Sequence, residues 1–117
     1  MYHLWDAETI WFKRLAGESL KTWPSKDYKG TTDEFYAAFR KQSEDFVSLA
    51  ENMPGEKFLE TLSYSNTKGM AFTATVAEII MHAMNHATFH RGQIITMLRI
   101  AEVTELPSTD YMGYIHK

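Results

Sequence analysis

Helical periodicity runs without a break from Val76 to about Glu102, and no other segment constrains the fold as strongly. Thr75 and Glu78 supply a capping box at its start, since the threonine hydroxyl can accept from the amide three residues on while the glutamate reaches back. Its apolar positions include Val76, Ile79, Ile80, Met84, Ile94, Met97, Leu98 and Ala101. Only Gly92 interrupts the run, at a cost of about 1 kcal/mol against alanine, which suggests a packing reason such as close approach of another helix or of a site. A chain of 117 residues has room for one hydrophobic core, so residues 1–117 are read as a single domain.

Two further long helices are expected. From Tyr2 to about Glu18, Leu4, Ala7, Trp11 and Leu15 recur at helical spacing, and Gly17 lies where that helix would end. A turn-rich loop with Pro24, Ser25, Asp27 and Gly30 follows, long enough to suggest a functional or covering role. Thr31 and Glu34 form a second capping box, which opens a helix whose apolar face runs through Phe35, Phe39, Phe46, Leu49 and Met53 until Asn52, Pro54 and Gly55 end it. From Lys57 to Ala71 the pattern is not helical, and the Ser65-Asn66-Thr67-Lys68-Gly69 cluster marks a short extended segment or small hairpin. A hairpin is marginal alone in water and must pack on something. Pro107 bars continuation of the last helix, and the tail beyond it is expected to lie back across the bundle. The fold class is therefore all-α, an up-down helical bundle of three long helices with a short extended or hairpin segment before the last one.

The long helix also carries the chemistry. His82, His86 and His90 are spaced four apart, which stacks their rings on one face, and neighbouring rungs can share an ion. A lone histidine on a helix is more often a satisfied polar residue than a ligand, but strict repetition shifts the balance toward a divalent metal held by His86 and His90. One ion cannot take all three rungs, so His82 is read as core or as support for a ligand. The remaining histidines are His3 and His116. His3 is the better third ligand because it lies on a helix, whereas His116 is one residue from the end. Three imidazole nitrogens suit zinc, nickel or ferrous iron equally. The acids near the start, Asp6 and Glu8, could serve as a base or ligand support, with surface solvation their expected role.

Composition excludes several alternatives. The sequence has no cysteine, so any metal must be held by nitrogen and oxygen, and a reducing, cytoplasmic setting fits. A formal charge of −3 gives no basic footprint for nucleic acid or for a membrane surface. No signal peptide opens the sequence and no apolar run of about 18 residues occurs. There is no nucleophile elbow, no phosphate loop and no glutamate base of the zinc-protease helix kind.

The run His86-Ala87-Thr88-Phe89-His90-Arg91-Gly92-Gln93-Ile94, with His82 and Asn85 before it, resembles the last-helix motif of the DinB superfamily of metal-binding four-helix proteins. His3-Leu4-Trp5-Asp6-Ala7-Glu8-Thr9-Ile10-Trp11 resembles that family's second helix, and Pro107-Ser108-Thr109-Asp110-Tyr111 resembles its common ending. The resemblance implies a mononuclear divalent site built from His3, His86 and His90, a homodimer, and an N-terminus shortened by the family's first helix. It further implies a metal-dependent enzyme, a thiol-dependent transferase or a hydrolase, that acts on a small thiol or other small molecule through a metal-activated thiol or water. The alternative is a non-catalytic dimeric bundle whose metal is structural or absent. Arg91 and Gln93 are candidates for anchoring or ligand support, with helix packing the plainer role, and no catalytic residue is assigned.

Overall fold

A computed structural model describes residues 1–116. It is mostly helical. The elements in chain order are helix α1 (Tyr2–Leu15), helix α2 (Thr32–Glu51), strands β1 (Thr61–Ser65) and β2 (Ala71–Thr75), helix α3 (Val76–Ile100) and a short helix α4 (Tyr111–Ile115). Short 3-10 turns cover Pro24–Asp27 and Gly55–Leu59. No helix among the described residues is long and apolar enough to cross a membrane.

Each long helix begins or ends on a recognisable local device. Helix α1 stops three residues before Glu18, because Gly17 takes φ +86° and the amides of Gly17 and Glu18 return to the carbonyls of Arg14 and Lys13. Helix α2 opens on the expected capping box: the Glu34 carboxylate accepts from the Thr31 amide at 2.7 Å, and the Thr31 hydroxyl accepts from the Glu34 amide at 3.2 Å. The same exchange joins Thr75 and Glu78 at the start of α3. The Thr75 amide, at 2.8 Å, and then the Thr75 hydroxyl, at 2.9 Å, donate to the Glu78 carboxylate and hold it below the usual glutamate range. At its other end α3 closes with Glu102 in the left-handed region at φ 62°, a position glycine would fill without steric cost.

The chain divides into two compact units that meet within α3, Met1–Ala83 and the segment from Met84 onward. The core of the first unit is built from Leu4, Ala7 and Ile10 of α1, Phe35 and Phe46 of α2, and Val76, Ile79 and Ala83 from the first turns of α3. Tyr2, Trp5 and Phe35 gather around Tyr28, with ring centroids 5.4 to 6.1 Å from it. A side chain at Gly30 would collide with the Tyr28 ring, its Cβ falling 2.2 Å from the hydroxyl, so glycine is required for that approach.

The hairpin is a two-stranded antiparallel ladder from Thr61↔Thr75 to Ser65↔Ala71. Its turn forms where the polar cluster predicts it: the Asn66 side chain accepts from the amides of Lys68 and Met70, and Gly69 takes φ +81°. The hairpin is anchored by Arg14, whose guanidinium lies 4.3 Å from the Trp11 ring and 4.7 Å from the Tyr64 ring and donates to the Ser65 carbonyl at 3.1 Å. Burial lowers the pKa of Arg14, with Tyr64 acting in the opposite direction.

In the second unit the chain turns back after α3. Ser108, Asp110 and Tyr111 face Met84, Thr88 and Arg91 of α3 across a cavity of about 650 Å³. Asp110 caps α4 by accepting from the Gly113 amide at 2.9 Å. The expected close neighbour of Gly92 is not found: a Cβ built there meets nothing within 4 Å, so the glycine is not explained by packing within the described residues.

Candidate metal centre

His86 and His90 occupy consecutive turns of α3 and are both half-buried. Their ring centroids are 4.5 Å apart at an interplanar angle of 66°, the approach expected of imidazoles four residues apart on an unbroken helix. Phe89 lies against the His90 ring at 5.1 Å between centroids, edge-on.

The Gln93 side chain fixes the chemistry of one ring. Its Oε1 lies 2.7 Å from His90 Nδ1. A carbonyl oxygen can only accept, so Nδ1 carries the proton and the lone pair is left on Nε2. A metal-binding imidazole has this arrangement, its second nitrogen donating to an oxygen that sets the tautomer and orients the ring. Glutamine three residues on is on the same face, which is how the His-Arg-Gly-Gln order delivers both ligand and orienting group. Arg91 is directed elsewhere: its guanidinium donates to the Thr88 hydroxyl at 2.9 Å on another face of the helix.

His3 stands in the first turn of α1 and is exposed. That turn has no side-chain cap, and the amides of Leu4 and Trp5 bond to the Met1 carbonyl. Trp23 lies beside the His3 ring, with centroids 6.1 Å apart. Among the described residues, His3, His86 and His90 make up the group of side chains able to hold a metal ion, each offering one nitrogen. This donor set is all imidazole, the chemistry that suits a borderline divalent ion.

The remaining expectations fare differently. His82 is exposed, not part of the core, and its ring meets the edge of Trp11 at 4.8 Å. His116 caps the C-terminal end of α4 and is outside the metal-capable group. Asp6, expected on the surface, is only 5% exposed. Its two carboxylate oxygens accept from the amide and the hydroxyl of Ser25, at 2.7 and 2.5 Å. Sequence periodicity places Asp6 among polar positions, and no local signal shows that a loop residue nineteen positions on would return to it.

The chain is mostly helical, and its longest helix carries paired histidines with a glutamine beside them, a set that could hold a metal ion. A model of the DinB family matches residues 1–117, and the chain belongs to that family. It is similar to protein DinB of Bacillus subtilis (strain 168), with 32% identity over 83 residues that cover 71% of this chain and 46% of that protein. The match thus spans about half the length of that relative. No solved structure matches the chain.

Proposed function

We propose that His3, His86 and His90 together hold one divalent ion, zinc, nickel or iron, and that the protein is a metal-dependent enzyme of the thiol-transferase or hydrolase kind. The observation that carries this reading is the Gln93–His90 hydrogen bond, which puts the proton on Nδ1 of His90 and the lone pair on Nε2, in a ring that lies against that of His86. Family membership supports it, as does the grouping of the three histidines. Three neutral nitrogens leave coordination positions open, and an ion in such a site lowers the pKa of a bound thiol or water toward neutrality. In this reading His86 and His90 set the position of the site on a rigid helix, Gln93 orients His90, and His3 completes the set from α1. The long helices are those of an up-down bundle of the DinB kind.

We also propose that the protein acts as a homodimer. Helix α3 exposes large apolar side chains, including Phe89, Met97 and Ile100 at 64%, 59% and 78%, more than a helix of an isolated small domain needs to show water.

The experiment is metal analysis of the purified protein and of the His3→Ala and His86→Ala variants, followed by assays with small thiols and with hydrolysable esters or amides. Loss of bound metal in both variants, with folding intact, is the expected result. Unchanged metal content in both contradicts the site. Metal binding with no turnover of either substrate class, together with a large stability loss on chelation, favours the second reading, a non-catalytic bundle with a structural ion.

A further inference from the structure

We propose that the cavity between α3 and the returning tail binds a small zwitterion, an apolar amino acid, whose carboxylate meets Arg91 and whose ammonium group meets Asp110. None of the three grouped histidines lines this cavity, so the inference stands whether or not they hold an ion.

At about 650 Å³ the cavity has the size of a small-molecule site, and its walls all belong to the second unit. The cation in its wall is held in place by two hydrogen bonds in series. Arg91 donates to the Thr88 hydroxyl at 2.9 Å, and that hydroxyl donates to the Met84 carbonyl at 3.0 Å. With its one hydrogen committed to the carbonyl, the Thr88 oxygen faces Arg91 as an acceptor. The guanidinium is thereby oriented at the expense of a single donor. Its other N–H groups make no further hydrogen bond or ion pair among the described residues, and a planar fork of donors is suited to a carboxylate.

Asp110 is held from two sides. Its amide donates to the Ser108 hydroxyl at 3.3 Å, and its Oδ1 accepts from the Gly113 amide at 2.9 Å, which leaves Oδ2 without a hydrogen-bond partner among the described residues. Arg91 and Asp110 line the same cavity, yet they form no ion pair with each other. A ligand with a charge of each sign spans that separation and meets both. A phosphate loses at Asp110 what it gains at Arg91, and a plain carboxylate faces Asp110 as a like charge. Tyr111 and Tyr114, which also line the cavity, are 71% and 70% exposed, so their rings are open to an apolar body, and Met84 adds a soft wall.

The test is an NMR titration of the full isotope-labelled chain with L-phenylalanine, with phenylpropionate, which lacks the ammonium group, and with inorganic phosphate. It is run on the wild type and on Arg91→Gln and Asp110→Asn, with melting curves of each. Asparagine caps helices as well as aspartate does, so Asp110→Asn removes the charge and keeps the start of α4. Phenylalanine is expected to shift the amides of Thr88, Arg91 and Asp110 saturably and to bind more tightly than either control. Arg91→Gln should weaken it about tenfold, the scale of one hydrogen bond to a charged group. Asp110→Asn should weaken phenylalanine by a similar factor and tighten phenylpropionate, a reversal that loss of structure does not produce. No saturable shift with phenylalanine, or undiminished affinity in Arg91→Gln, overturns the proposal. Phosphate or phenylpropionate binding as tightly as phenylalanine to the wild type overturns the choice of a zwitterion, and Asp110→Asn weakening both organic ligands overturns Asp110 as the ammonium acceptor.

Discussion

Gln93 shows how much a single side chain contributes to the site. Its amide oxygen at 2.7 Å from His90 Nδ1 selects one tautomer, and the ring so held presents Nε2. Replacing Gln93 by leucine keeps the helix but removes the acceptor, and metal affinity should fall about tenfold with little change in the melting temperature of the metal-free protein. Isothermal titration with zinc measures it. The histidine spacing was legible in the sequence because four-residue repetition on a helix has one geometric meaning, and the place of Gln93 on the same face follows from the same period. What was not legible lies across the chain. Arg14 is a charged residue between the apolar positions of the first helix, yet it is buried against Trp11 and Tyr64, and Asp6 reads as surface although Ser25 covers it. Pairings between positions far apart in sequence leave no periodic trace.

The helices were read correctly wherever a local motif closes on itself. Both capping boxes and the Asn66 turn are local, involving residues within four positions of one another. The capping box of α3 predicts a pH dependence. Glu78 has its folded pKa lowered chiefly by the Thr75 amide, so its contribution to stability is whole above the ordinary glutamate pKa and is lost as the pH falls through the lowered folded value. Glu78→Gln should therefore flatten part of the acid side of the stability profile measured by denaturant melts, and leave the neutral side nearly parallel to wild type. The reading of Gly92 failed for a complementary reason. A glycine inside a helix suggests a neighbour, but nothing lies within 4 Å of the Cβ it lacks. Gly92→Ala should accordingly stabilise the protein by about 1 kcal/mol, seen as a higher denaturation midpoint. A loss of stability would show that something outside this chain approaches there.

At the scale of the whole molecule, the exposed apolar residues of α3 and membership of the DinB family bear on assembly and on chemistry. Light scattering coupled to gel filtration should give twice the 13.5 kDa mass of the chain. A mass of one chain at micromolar concentration contradicts the dimer and leaves the apolar flank of α3 without a self-partner. Assembly and metal binding are separable, since the proposed ligands all belong to one chain. The most direct test of the central claim is X-ray absorption spectroscopy of the zinc-loaded protein beside its His3→Ala variant. A shell of three imidazole nitrogens at about 2.0 to 2.1 Å, reduced to two in the variant, is the result the proposed site predicts. A wild-type shell with fewer than three imidazoles, or one that His3→Ala leaves unchanged, contradicts it.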